Sequence, residues 1–96
     1  MNHLYAIYCG LDEEIQKRFP GIGIQRKVYT HNDHYQMFVS KSWGNSVTIN
    51  LLPYGFQIYR THKDERLFLF EDPDSIDNTL NYLGELLKFK YEWEKK

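Results

Sequence analysis

Residues 24–61, IQRKVYTHNDHYQMFVSKSWGNSVTINLLPYGFQIYRT, set the architecture predicted for this chain. Within them, apolar and polar residues alternate in segments that short runs of Asn, Asp, Gly, Pro and Ser separate, which is typical of strands joined by tight turns. The predicted strands are 24–30, 34–41, 46–52 and 56–61, and RLFLFE at 66–71 continues the series. Because the connections are only a few residues long, we expect neighbouring strands to pair antiparallel.

Alternation gives the predicted sheet two different faces. One face is apolar and must be covered, and it carries Tyr35, Met37, Val39, Val47, Ile49, Leu51, Phe56 and Ile58. The opposite face is polar with aromatic rings set into it, and it carries Gln25, Lys27, Tyr29, Gln36, Phe38, Ser40, Ser46, Thr48, Asn50, Gln57, Tyr59 and Thr61.

The segment before the meander predicts a strand followed by a short helix. HLYAIYC at 3–9 is rich in strand-forming residues and is followed by Gly10, which indicates a strand that ends there. LDEEIQKRF at 11–19 has Asp12 as a helix N-cap and spaces its apolar residues for one helical face, before Pro20 and Gly21 end it.

The segment after the meander predicts a long C-terminal helix, from Pro73 to about Trp93, with Asp72 as N-cap. Its first apolar stripe is Ile76, Leu80, Leu83 and Leu87, which suits the apolar face of the sheet. A second stripe, Tyr82, Leu86, Phe89 and Trp93, lies roughly 120° away around the helix. It can pack within the chain, against a second copy, or against another protein.

The fold class predicted from these segments is α+β. We expect a mostly antiparallel meander of five or six strands, a short helix after strand 1, and a long C-terminal helix packed on one face. A chain of 96 residues supports one hydrophobic core, so 1–96 is expected to be a single domain. Sixteen aromatic side chains, 17% of the chain, are more than so small a core hides easily, which indicates that some rings face a partner.

Charge and cysteine content narrow the expected location and partners. Cys9 is the only cysteine, which excludes an internal disulfide and favours a reducing compartment. No membrane span or leader is evident, so we expect a cytoplasmic protein without membrane contact. The net charge is −1, but residues 15–70 hold eight Lys or Arg against three acids. That basic middle section could favour an anionic partner.

Catalytic and metal-binding arrangements are weak. His31, Asp33 and His34 fall on a predicted hairpin tip, where solvated turn residues are the better interpretation than a metal site. Cys9 is expected to be a buried thiol at a strand end and not a nucleophile. Pro20-Gly21-Ile22-Gly23 precedes a strand, so it offers no helix N-terminus to a phosphate. We therefore expect no enzyme, no cofactor and no metal.

The first function hypothesis is a small protein-binding module that uses Tyr82, Leu86, Phe89 and Trp93 as anchors. Small α+β chains of this composition are common among phage and mobile-element proteins that inhibit or regulate a host protein, an analogy of size and composition only. The first alternative is single-stranded nucleic acid held on the sheet by Lys27, Tyr29, Phe38 and Tyr59. The second is a homodimeric accessory protein.

Overall fold

The computed structural model describes residues 3–29, 34–42 and 45–88, with only the backbone for Tyr29, Ser42 and Asn45. These residues form two helices and five strands: α1 His3–Arg18, β1 Gly23–Tyr29, β2 His34–Ser42, β3 Asn45–Leu52, β4 Gly55–Tyr59, β5 Arg66–Leu69 and α2 Ser75–Lys88. The strands make one sheet in the order β1-β2-β3-β4-β5, and every neighbouring pair is antiparallel. The predicted α+β class and the five-stranded meander are confirmed.

The predicted apolar face of the sheet is the core of the structure. All eight residues assigned to it are buried: Tyr35, Met37, Val39, Val47, Ile49, Leu51, Phe56 and Ile58. The first stripe of α2 packs on this inner face, with Leu80, Leu83 and Leu87 buried and Ile76 half-buried at its edge. Both predictions of these faces are confirmed.

The N-terminal prediction is wrong in one respect, because residues 3–9 are helical. They form the first half of α1, so the helix precedes all five strands. Leu4, Tyr8, Leu11 and Ile15 share one helical face, and that face packs into the core. Gly10 lies inside the helix, and α1 ends where Gly21 adopts a φ of 81°, a conformation that favours glycine.

The start of α2 lies two residues after the predicted start. Asp72 Oδ1 accepts the Asp74 N–H at 3.0 Å, and the chain turns before the helix begins. Asp74 C=O then accepts the Asn78 N–H at 2.8 Å, so Asp74, and not Asp72, caps the helix. The predicted part of the helix beyond Lys88 lies outside the described residues.

The two helices lie side by side on the inner face. Arg18 near the end of α1 contacts Asp77 and Asn81 of α2, at 3.3 and 3.1 Å. Neither α1 nor α2, the helices of the described residues, is long and apolar enough to cross a membrane. The sheet therefore has one covered face and one outer face that no described element covers.

Candidate functional site

Tyr82, predicted as a partner-binding anchor, is a core residue of the monomer with 8% of its surface exposed. Its ring packs against Phe68, with centroids 6.1 Å apart, and the Arg66 guanidinium lies 4.4 Å from its centroid. Its hydroxyl donates a hydrogen bond to Asp64 C=O. Burial raises the pKa of Tyr82, so the hydroxyl stays a donor at neutral pH.

Leu86, the next residue of that stripe, is also buried, with 5% exposed. Its carbonyl accepts a hydrogen bond from Arg60 Nη1 at 2.8 Å. Intramolecular packing, one of the alternatives left open by the sequence, therefore accounts for this half of the stripe. Phe89 and Trp93, the other half, lie outside the described residues.

A hollow of about 610 Å³ lies between the β4–β5 connection and α2. Asp64, the carboxylate beside it, already accepts the backbone N–H groups of Arg60 and Thr61 at 2.8 and 3.1 Å. That carboxylate holds the turn in shape, and its oxygen is engaged by backbone amides.

The outer face of the sheet carries rows of side chains that run across the strands. Gln36 Nε2 donates to Asn50 Oδ1 at 2.7 Å, and Asn50 Nδ2 donates to Gln57 Oε1 at 3.0 Å. These amides satisfy one another across three strands, so the centre of the outer face is polar and internally bonded.

The residues of the nucleic-acid hypothesis lie on this outer face, but the structure does not bring them into one platform. Lys27 Nζ lies 5.5 Å from the centroid of the Phe38 ring, so the cation covers the ring it was expected to assist. Thr48 separates Phe38 from Tyr59 in their cross-strand row. Among the outer-face strand residues that the structure describes, Lys27 is the one lysine or arginine, which leaves little charge for phosphates. The Tyr29 side chain is not described.

Cys9 differs from its prediction: it lies on α1 as an exposed thiol and not as a buried thiol at a strand end. His31 and Asp33 of the weak metal-site reading lie outside the described residues, while His34 is half-buried on β2. In residues 3–29, 34–42 and 45–88, no group of three or more His, Cys, Asp or Glu side chains could hold a metal ion.

A group of apolar side chains is exposed where β3, β4 and β5 meet at one corner of the sheet. Tyr54, Leu67 and Leu69 are 56%, 46% and 38% exposed. Leu52 lies across Gly55 from Leu69 in the cross-strand register, so no side chain separates the two leucines. We call Leu52, Tyr54, Leu67 and Leu69 the apolar corner. Such a group on a small protein marks an interaction surface.

β5 in the apolar corner is also an edge strand, and it lacks the protection that the other edge strand has. Natural edge strands usually carry charges that deter pairing with another chain. β1 carries Arg26 and Lys27 in its middle, whereas the charged residue of β5, Arg66, turns inward to stack on Tyr82. The free edge of β5 is therefore apolar.

The backbone of β5 offers hydrogen-bonding groups at that free edge. Phe70 N–H donates to Tyr54 C=O at 3.0 Å, so Phe70 and Phe68 direct their amide groups at β4. Because alternate residues of an antiparallel strand point in opposite directions, Leu67 and Leu69 direct theirs outward. Leu69 C=O accepts the Asp72 N–H at 3.1 Å. Within the described part of the chain, the N–H and C=O of Leu67 and the N–H of Leu69 have no backbone partner.

Sequence reasoning did not single out the apolar corner. Leu67, Phe68, Leu69 and Phe70 are all apolar, so alternation does not indicate which of them face outward. The available signal was the position of this strand at the end of the meander, where it becomes an edge without a charge in its centre.

Comparison of this chain with protein-family models, with curated proteins and with solved structures gives no match.

Proposed function

We propose that this chain is a protein-binding module, and not an enzyme, whose contact surface is the apolar corner together with the free edge of β5. The observation that carries the proposal is the coincidence of exposed leucines and unpaired backbone groups on one edge strand. Side chains alone would make a weak patch. With the backbone groups beside them, they form a template on which an extended segment of a partner can add as a further strand.

The binding mode follows from the geometry of that edge. Main-chain hydrogen bonds to Leu67 and Leu69 would supply affinity, and the apolar side chains would select the partner's alternate residues. Tyr54 adds a large ring beside a hollow of about 310 Å³ that Leu69, Phe70 and Glu71 complete. Rings in such positions often dominate binding energy. An inhibitory or regulatory effect of this contact stays a prediction from composition.

A photo-cross-linking experiment tests the proposal. A benzoyl-phenylalanine residue replaces Leu69 in one version of the chain and Val28, 45% exposed on β1, in a matched control. Both are expressed in the cells that naturally make this protein and irradiated. We expect a discrete protein adduct from position 69 and none of that size from position 28, because only the β5 edge is apolar and unprotected. Absence of an adduct at position 69, or the same adducts at both positions, would contradict the proposal.

A further inference from the structure

We infer that the strand added to β5 is β5 of a second copy of this chain, running antiparallel, with Leu67 on the twofold axis. This inference rests on the proposed function, because it names the occupant of the same edge. The two sheets would join into one continuous sheet. Since a twofold axis perpendicular to the sheet keeps both outer faces on one side, the helices of both copies would lie on the other side.

The backbone groups of β5 suit this arrangement. In the proposed pairing Leu67 of one copy faces Leu67 of the other, and each N–H donates to the opposite C=O. Leu69 N–H then reaches Glu65 C=O of the second copy. The outward-directed groups of Leu67 and Leu69 that lack a described backbone partner are the groups that this pairing uses.

Charge selects the register. With Leu67 on the axis, the residues four before and four after it face each other, so Lys63 lies opposite Glu71 of the second copy, and the pair occurs twice by symmetry. Lys63 and Glu71 are both exposed. Moving the axis by one residue to Phe68 would instead place Glu65 opposite Glu71, and like charges in facing positions are destabilising. The sequence around β5 is thus self-complementary in one register.

The apolar side chains support the same register. The two Leu67 side chains meet on the outer face at the axis, and Leu69 becomes the diagonal neighbour of Leu67 in the second copy. The corresponding pairing of two β1 edges would bring Arg26 and Lys27 of both copies together, and like charges oppose it. A second copy is therefore expected at β5 and not at β1.

The first test is the oligomeric state in solution. Sedimentation equilibrium of the wild-type chain, from micromolar to millimolar concentration, is expected to show a monomer–dimer equilibrium. Leu67→Glu places two carboxylates on the axis and should weaken dimerisation about tenfold or more. Val28→Glu makes the same kind of change on β1 and should leave the dimer as it is. A circular dichroism spectrum and a thermal midpoint check that each variant is folded.

The second test is a charge exchange, which does not depend on the leucines. Lys63→Glu alone and Glu71→Lys alone should each weaken the dimer about threefold to tenfold, because each places like charges together twice. The double variant should restore wild-type dimerisation. Lys41→Glu, an equal charge change far from β5, should have no effect. Weakening that disappears in high salt would match this electrostatic origin.

The outcomes separate this inference from the proposed function. A monomeric wild type, a dimer that Leu67→Glu does not weaken, or a double charge variant no better than the single ones would each overturn the second copy as occupant. If the Leu69 cross-link nevertheless holds a different polypeptide, the proposed function stands without it. If the cross-link also fails, both are wrong.

Discussion

Tyr82 connects three parts of the molecule through one side chain. From α2 it stacks on Arg66 and Phe68 of β5 and hydrogen-bonds the carbonyl of Asp64 in the connection before that strand. The ring therefore fixes β5, the last and shortest strand of the sheet, against the helix. Any partner contact at the β5 edge depends on this inner support.

Substitution of Tyr82 should reduce the stability of the fold. Tyr82→Ala removes a buried ring and should lower the free energy of unfolding by about 3 kcal/mol. Tyr82→Phe keeps the ring but leaves Asp64 C=O without its donor, which should cost about 1 kcal/mol. Urea denaturation measures both. Tyr54→Ala, at an exposed ring, is the control and should change little. A Tyr82→Ala chain as stable as this control would show that the ring is not core.

Among the elements, α1 shows why local pattern alone misassigned a segment. HLYAIYC contains the aromatic and branched residues that strands favour, and Gly10 resembles a terminator. The stripe through Leu4, Tyr8, Leu11 and Ile15 crosses Gly10 without interruption, and burial of that stripe outweighs the roughly 1 kcal/mol that glycine costs in a helix. Reading the helical period past the glycine would have found the whole of α1.

The strands and the first stripe of α2 were predictable because each presents a single apolar face. β5 and the second stripe were not. Leu67 to Phe70 are apolar at every position, so the exposed side of β5 depends on its place at the edge of the sheet. Likewise, Tyr82 and Leu86 are covered by the β4–β5 connection and by β5, whose path the sequence does not reveal. The sequence therefore indicated a surplus apolar surface but placed it on the wrong element.

Pairing of β4 with β5 makes a direct demand on Gly55. A Cβ added there would meet Phe68 O at 2.5 Å, and this oxygen belongs to backbone that cannot move away alone. Gly55→Ala should therefore lower the free energy of unfolding by about 1 to 3 kcal/mol and loosen β5. Thermal unfolding with hydrogen exchange at Leu67 and Leu69 measures this.

The matched control for Gly55→Ala is Gly10→Ala. A Cβ at Gly10 meets nothing within 4 Å, and alanine is the better helix former, so α1 should gain about 0.5 to 1 kcal/mol. If both substitutions acted in the same direction, the close approach at Gly55 would not be the cause.

For the molecule as a whole, α1 is held by polar contacts as well as by its apolar stripe. Asp12 accepts two hydrogen bonds from Arg26 of β1, one of them from Nη2 to Oδ1 at 2.9 Å. Tyr8 hydroxyl donates to Gln36 C=O at 2.9 Å. The Arg26 hydrogen bonds hold the pKa of Asp12 below its ordinary value of 3.8. The contact between helix and sheet is therefore sensitive to acid.

The pH dependence of stability tests this contact. Because the folded pKa of Asp12 lies below the unfolded one, the stabilisation is fully present above about pH 3.8 and is lost as the pH falls through the folded pKa. Asp12→Asn should be less stable than wild type by about 0.5 to 1 kcal/mol at pH 7, a modest value since Arg26 is half exposed. The gap should close in acid. Glu13→Gln, exposed on the same helix, is the control, and a gap that persisted at low pH would contradict the assignment.

The chain-order meander has a consequence for how this molecule acquires its shape. Each strand pairs with the one made just before it, so every hairpin can close as soon as its second arm leaves the ribosome, with little loop entropy to overcome. The covering helix α2, however, is synthesised after all five strands. The nascent sheet therefore waits with part of its greasy side bare, and this interval is when the polypeptide is most exposed to misassembly or to capture by a chaperone.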